Sequence, residues 1–275
     1  TLPMGGIVPS HEARRLMSIA LDSGVRAFDN SHLYGNGLAS QILRDSLGGR
    51  EDVEIWFSIG LNQRPDDNGV FAVELAPLTR ELIRTRTEEA LRSLGRESLS
   101  VLNVHAFDAT TPLEVTLEAL RDLKSSGLAQ RVSYSNLSEK QAQTIADLDS
   151  DMAVDFVQLH GSVLERRLIE SAGMVFRESG RGVACFRALA RGLVSRGYSP
   201  SNSKPTDSRA TRGWRLQSYL SMEYLRGLEE LNVRLTSAGI TPIHFALSWL
   251  IGGGFADTAI VGVRTLEQLE EVVAW

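Results

Sequence analysis

Lysine is nearly missing from this chain: of 29 basic residues, 26 are arginine, and only Lys124, Lys140 and Lys204 are lysine. The arginines are scattered, and the formal net charge is −5. That balance argues against a nucleic-acid or anionic-membrane partner, each of which is met by a positive patch. Cysteine is scarcer still. Cys185 stands alone, which excludes an intramolecular disulfide and a cysteine zinc cluster and suits a reducing cytoplasm. His32 and His160 show no metal-ligand spacing, so no metal is expected. No apolar run approaches the ~18 residues of a membrane span, and no charged-then-apolar signal sequence opens the chain. A cytoplasmic location is therefore expected, with the native start lying before Thr1. No G-x-G-x-x-G follows an early strand, which weighs against a Rossmann domain. No heptad or repeat bears on oligomeric state, which stays open.

What is present suffices for one core. Hydrophobic residues make up 43% of 275 positions, and a single α/β barrel of about 250 residues needs no domain split at that length. Short β-branched runs alternate with amphipathic stretches. Helices are predicted at His11–Ser23 (Ser10 as N-cap, Gly24 as stop), Gly37–Leu47, Leu78–Leu94 and Pro112–Ser125. Others follow at Ser138–Leu148 (a Ser138/Gln141 capping box), Glu165–Glu178, Ser218–Ser237, Pro242–Ile251 and from Leu266. Strands are predicted at Val25–Phe28, Val53–Ser58, Leu99–His105, Arg131–Tyr134, Asp155–Gln158, Gly182–Phe186 and Thr258–Val261. Leu2–Met4 is a candidate eighth. Alternating β and α units imply a parallel sheet, and eight of them favour a closed (β/α)8 TIM barrel, one domain over 1–275. A stretch from about 198 to 213, after the seventh strand, has no apolar pattern and reads as a long binding loop. The Asp66–Ala76 stretch matches no pattern.

In such a barrel the chemistry lies where strands end. That rule selects Asp29 through Gly35 after one strand, His105 and Asp108 after another, then Ser135-Asn136, Gln158 with His160, Phe186-Arg187, and Gly262-Val263-Arg264.

These residues carry a resemblance. Gly24-Val-Arg-Ala-Phe-Asp-Asn-Ser-His-Leu-Tyr-Gly-Asn-Gly37 resembles the G-x-x-x-F-D-T-A-x-x-Y-G-x-G segment of the aldo-keto reductases. Leu102-Asn-Val-His105 with Asp108 resembles their L-x-x-x-H-x-x-D strand end. Gly127 through Ser135-Asn136 is similar to G-K-x-R-x-x-G-x-S-N, and Val157-Gln158 to the V-Q strand. Ile260-Val-Gly-Val-Arg264 with Gln268 and Glu271 is similar to the cofactor loop I-P-G-x-R-x-x-x-Q-x-x-E-N. The ordered set covers nearly the whole chain.

The resemblance implies an NADPH-dependent reductase on a (β/α)8 barrel, acting on a small-molecule carbonyl or alcohol. It makes Tyr34 the proton donor, Asp29 the supporting carboxylate and His105 the residue that orients the carbonyl. It places Ser135, Asn136 and Gln158 on the nicotinamide carboxamide, Phe186 stacked on the ring, Arg264 at the adenosine 2′-phosphate, and Gln268 and Glu271 towards adenine. His105 is also the replacement acid should Tyr34 not serve.

The sequence departs from the family pattern in several places, among them Val261 where the cofactor loop has proline. The family lysine that ends the third strand falls on Phe57-Ser58-Ile59-Gly60-Leu61, and no lysine precedes Lys124. Ser133 replaces a glycine, Val272 the closing Asn, and Arg187-Ala188 a Ser-Pro pair, which brings a cation near the pyrophosphate or the substrate. Two alternatives to redox chemistry stay open. One is a barrel that keeps the nucleotide site but runs a dehydration or isomerisation with His105 and Asp29; the other is a non-catalytic nucleotide-binding protein.

Overall fold

The computed structural model describes residues 4, 7–47, 49–65, 71–204 and 219–275. Among these, seven strands pair in parallel into a nearly closed barrel. They are β1 (Ala27–Ser31), β2 (Glu54–Ile59), β5 (Leu99–Val104), β6 (Ala129–Ser135), β7 (Phe156–His160), β8 (Gly182–Phe186) and β9 (Thr258–Ile260), in that spatial order. Along the chain from β2 to β5 come β3 (Leu61–Pro65) and β4 (Phe71–Leu75), which pair antiparallel in a separate two-stranded sheet. The helices are α1 (Ser10–Asp22), α2 (Leu38–Leu47), α3 (Arg80–Leu94), α4 (Leu113–Ser125), α5 (Glu139–Leu148), α6 (Arg167–Glu170), α7 (Ala172–Glu178), α8 (Met222–Ser237), α9 (Pro242–Leu247) and α10 (Leu266–Val273).

The alternation of side chains along each strand builds two cores. On β2, Ile55, Phe57 and Ile59 face outward into the main cluster, where they meet the helices. In α1 the buried residues Ala13, Leu16, Met17, Ala20 and Leu21 recur at helical spacing, so one stripe faces the sheet. Each such leucine adds roughly 1.5–3 kcal/mol on burial. Trp56, between the outward residues of β2, faces the barrel interior. There it joins Val101, Phe156 and Ala184 in a separate cluster, its ring 5.2 Å from that of Phe156.

Above this apolar floor the interior turns polar. Asn103 donates to Ser58 Oγ at 2.8 Å and accepts from Ser133 Oγ at 2.8 Å and Ser135 Oγ at 3.0 Å. Gln158 Nε2 donates to Ser133 Oγ at 3.3 Å. All five residues are buried, and each supplies the partner that burial of its neighbour demands.

Several local expectations hold. The Ser138/Gln141 capping box is formed, and Gly95 ends α3 in the left-handed conformation at φ 64°. Lys124, one of the three lysines, is committed to structure: its Nζ donates to both Asp155 oxygens at 2.7 and 2.9 Å and to the Met152 carbonyl at 3.0 Å.

Others are corrected. Ser10 is the first residue of α1 rather than its cap; Pro9 takes the cap position without a side-chain bond. The strand expected at Val25–Phe28 begins at Ala27, because the Val25 N–H closes the end of α1 on the Ala20 carbonyl at 2.9 Å. The helix expected over Glu165–Glu178 is broken at Ser171 (φ −110°, ψ −82°) into α6 and α7. The break lets Ile169 and Phe176 both reach the core, with Gly173 set close over Leu159 and Val183. The helix expected to run to Ile251 leaves α geometry after Leu247 for a π turn, Ser248–Gly252. The Asp66–Ala76 stretch, which matches no pattern, holds β4, paired antiparallel with β3 and with Val73 and Leu75 exposed; its residues 66–70 lie outside the described residues. Of the long loop expected at 198–213, residues 205–213 lie outside the described residues. Its start is anchored: Tyr198 is fully buried against Leu193, Val194, Leu225 and Leu228, and Ser199 and Asn202 close a tight turn.

Candidate active site

The C-terminal ends of the strands share one rim, and the sequence-derived residues sort themselves along it. After β1 the chain turns through Tyr34–Gly37, where Gly35 (φ 56°) and Asn36 (φ 52°) adopt the left-handed conformation. That reversal folds the Tyr34 ring back over its own strand, and the phenol donates to Asp29 Oδ1 at 3.5 Å. The neighbours hold the turn in place: Asn30 Nδ2 donates to Ser40 Oγ at 2.9 Å, and Ser31 Oγ donates to the Ser58 carbonyl at 3.2 Å.

Burial sets the electrostatics of this pair. It pushes the Asp29 carboxyl up from 3.8 to about 6, against the lowering effect of the Tyr34 bond. The Tyr34 phenol is held well above its usual range by burial and by the Asp29 charge and bond. Where the family resemblance places a lysine, β2 ends in Ser58, Ile59 and Gly60. Ser58 belongs to the interior network, Ile59 to the outer core, and Gly60 turns at φ 94° with the His105 backbone nearby.

His105 follows β5, its N–H extending the ladder onto the Ile59 carbonyl at 2.8 Å. Its Nδ1 is buried with no hydrogen-bond partner. Burial, aided by the charge of His32, pushes the imidazole down to about 4. Burial thus favours the neutral ring, which can donate a hydrogen bond, over the imidazolium that the reading of His105 as a replacement acid would need. His32 is likewise lowered, by burial first and Arg86 second.

The expected carboxamide trio is together. Ser135 Oγ lies 3.4 Å from Gln158 Oε1, and Asn136 Nδ2 donates to the His105 carbonyl at 2.8 Å from a left-handed residue, φ 57°. Phe186, half-buried at the end of β8, meets the His160 ring edge-on at 6.1 Å. Glu271 lies in the later part of α10, and Arg264 and Gln268 meet at its start. There the Gln268 side chain accepts from the Arg264 N–H at 2.9 Å, and the Glu271 carbonyl lies 3.2 Å from His244 Nε2. Gln268 thus acts as a helix-start cap.

Sequence reasoning missed two constellations. Ser58, Asn103 and Ser133 carry the interior network, and each is a polar residue flanked by apolar or aromatic neighbours in its strand. Mid-strand polarity was the available signal, because such a group must find a partner. The second is Glu165, Arg191 and Tyr219. Arg191 Nη1 donates to Glu165 Oε2 at 2.8 Å and to the Tyr219 hydroxyl at 3.2 Å, and that hydroxyl donates to Glu165 Oε1. Burial favours the protonated acid, but the bonds from Tyr219 and Arg191 prevail and hold Glu165 below its ordinary range.

A family model described as the Aldo/keto reductase family matches residues 4–275. The chain belongs to the aldo/keto reductase family. Among its relatives is the L-glyceraldehyde 3-phosphate reductase of Escherichia coli K12, 27% identical over 94% of this chain and 77% of that protein. The aldo-keto reductase yakc of Schizosaccharomyces pombe, whose name carries NADP(+), is 27% identical over 95% of this chain and 77% of its own length. The glycerol dehydrogenase of Gluconobacter oxydans superposes with a TM-score of 0.78 at 20% identity, over 97% of this chain and 85% of that one. This aldo/keto reductase therefore shares the (β/α)8 fold with its structural neighbours, as a single domain.

Proposed function

We propose that this aldo/keto reductase is an NADP(H)-dependent oxidoreductase that reduces a small-molecule carbonyl, or oxidises the matching alcohol, at the rim formed by Asp29, Tyr34 and His105. The observation that carries this reading is the half-buried bond from the Tyr34 phenol to Asp29 at the end of β1. The residues fit a nicotinamide. Gln158 has one Nε2 proton without a partner among the described residues, and His105 Nδ1 is an orphaned buried atom. The Asn136 amide is exposed, and the Phe186 ring is partly open. The NADP(+) in the name of a relative supports the phosphorylated cofactor, with Arg264 as the cation for its 2′-phosphate.

Bound, the cofactor supplies or accepts the hydride. The chain moves the proton. Tyr34 hands its O–H proton to the carbonyl oxygen, and the Asp29 carboxyl returns one to the phenol oxygen. A carboxyl near 6 is a fitting donor for that return at slightly acid pH. The neutral His105 ring orients the carbonyl by hydrogen bonding. In this arrangement Asp29 supplies the proton without a neighbouring lysine.

The test begins with cofactor fluorescence, titrating the protein into NADPH and NADH. Failure to bind either nucleotide sinks the proposal. With binding in hand, a panel of aldehydes is reduced by wild type and Tyr34→Phe. Loss of the proton donor should lower kcat/KM by about 100-fold or more while leaving NADPH affinity in place. Substrate turnover without cofactor oxidation would instead favour the dehydratase or isomerase alternative, which needs the same Asp29 proton but no hydride.

A further inference from the structure

The turn leaving β8 is strained at three residues. Arg187 (φ 60°), Ala190 (φ 48°) and Arg191 (φ 59°) all adopt the left-handed conformation, which a residue with a Cβ keeps only where its surroundings impose it. The two arginines differ in what they touch. Arg191 is committed, bonded to Glu165 and Tyr219 and stacked 5.4 Å from the Tyr219 ring centre.

Arg187 is not. Its guanidinium lies 5.4 Å from the centre of the Phe186 ring, exposed at the rim. No carboxylate pairs with it among the described residues. The one carboxylate whose charge reaches it, Glu165, has both oxygens taken by Arg191 and Tyr219. Burial and the Arg191 charge both work against the Arg187 cation, lowering its pKa. The same charge reaches His160, whose ring packs edge-on against Phe186. The structure thus holds a cation with no carboxylate bonded to it among the described residues, on the face of Phe186 at the end of β8, on the rim of strand ends that also carries Asp29, Tyr34 and His105.

The geometry points to Arg187 as the group that selects the substrate: it binds a carboxylate or phosphate ester carried by the carbonyl compound, so that small anionic aldehydes are preferred over neutral ones. A guanidinium laid on a ring is pre-organised, with its edge N–H groups set to meet two anion oxygens side by side. This inference rests on the oxidoreductase reading above.

Steady-state reduction is measured with succinic semialdehyde against butyraldehyde and with glyceraldehyde 3-phosphate against glyceraldehyde, using wild type, R187Q and R187K. A charge-assisted contact of this kind corresponds to a loss of charged-over-neutral preference of about thirtyfold in R187Q, partly restored in R187K. The pair that loses more identifies carboxylate or phosphate as the anion. No charge preference in wild type, or an unchanged preference in R187Q, overturns the inference. So does a roughly tenfold weaker NADPH affinity with both aldehydes slowed alike, which would put Arg187 on a cofactor phosphate. Calorimetric titration of succinate and of glycerol 3-phosphate into both proteins gives a readout without turnover. Binding that weakens about tenfold in R187Q, with no aldehyde reduced by either protein, would keep the anion site and sink the oxidoreductase reading. Equal binding by both proteins, or none by either, overturns the inference.

Discussion

Replacing Asp29 with asparagine should make the protein more stable at neutral pH and less active. The Asp29 carboxyl is raised from 3.8 to about 6 in the folded chain, chiefly by burial. The native state therefore holds this proton more tightly than the unfolded chain, and stability falls as pH rises between the two values. At ~1.4 kcal/mol per pH unit, the full span corresponds to ~3 kcal/mol, and partial access of water at the rim brings this to ~1–3 kcal/mol. An asparagine side chain fills the same volume and can still accept from Tyr34, but it never ionises. Urea unfolding followed by tryptophan fluorescence, for wild type and Asp29→Asn from pH 4 to pH 8, measures the difference directly. The two proteins should converge towards pH 4 and separate by ~1–3 kcal/mol above pH 7, with the variant the more stable. A constant offset across the range, or a more stable wild type at neutral pH, refutes the reasoning.

His105, pushed down to about 4, should show no imidazole titration by NMR between pH 5.5 and 8; a midpoint near 6.5 would contradict its burial. Alanine at Gly161 would place its Cβ 2.7 Å from Ile169 Cγ2 and 2.9 Å from Cys185 Sγ. Overpacking of that kind should lower unfolding free energy by about 1–3 kcal/mol in denaturant titration. Asp149 accepts from Ala153 N at 2.8 Å and Val154 N at 2.9 Å, and it faces the buried Arg181 guanidinium at 3.3 Å. Asp149→Ala strands that cation and should cost about 3–5 kcal/mol by the same measurement, and a loss under about 1 kcal/mol would show the guanidinium finding water.

The fold was legible because its parallel strands are buried on both sides and its helices carry one apolar stripe, so the two periods alternate plainly. Gly24, Gly95 and the Ser138 cap marked ends that local chemistry decides. The misreadings share a different cause. Ser171 breaks a helix to satisfy Ile169 and Phe176 together, a demand made by packing that no local pattern carries. The β3–β4 hairpin stands apart from the barrel core, so its Phe71–Leu75 alternation is short and leaves Val73 and Leu75 in solvent. Asp29, Tyr34 and His105 stood out as candidates by their places at or near strand ends, and the structure sets them on the rim. The low pKa of His105 was not legible, since it depends on burial and on His32, which approaches from another strand end. The environment of Arg187 was hidden for the same reason: its lack of a carboxylate follows from Glu165 and Tyr219, both distant in sequence, closing on Arg191.

The polar layer inside the barrel also bears on how the strands find their alignment. A slip of β5 against β2 by one residue turns every side chain to the wrong face and is excluded by the outer core. A slip by two keeps all faces correct, and apolar packing alone discriminates weakly against it. In the native alignment Ser58 lies opposite Asn103 and Asn103 opposite Ser133. Moving β5 by two would set the Asn103 amide against Trp56 or Gly60, with its donor and acceptor both unmet in a closed interior. Each such unmet group costs about 1–3 kcal/mol. The layer therefore acts as a key cut across the middle of the sheet, and only one threading of the strands turns it.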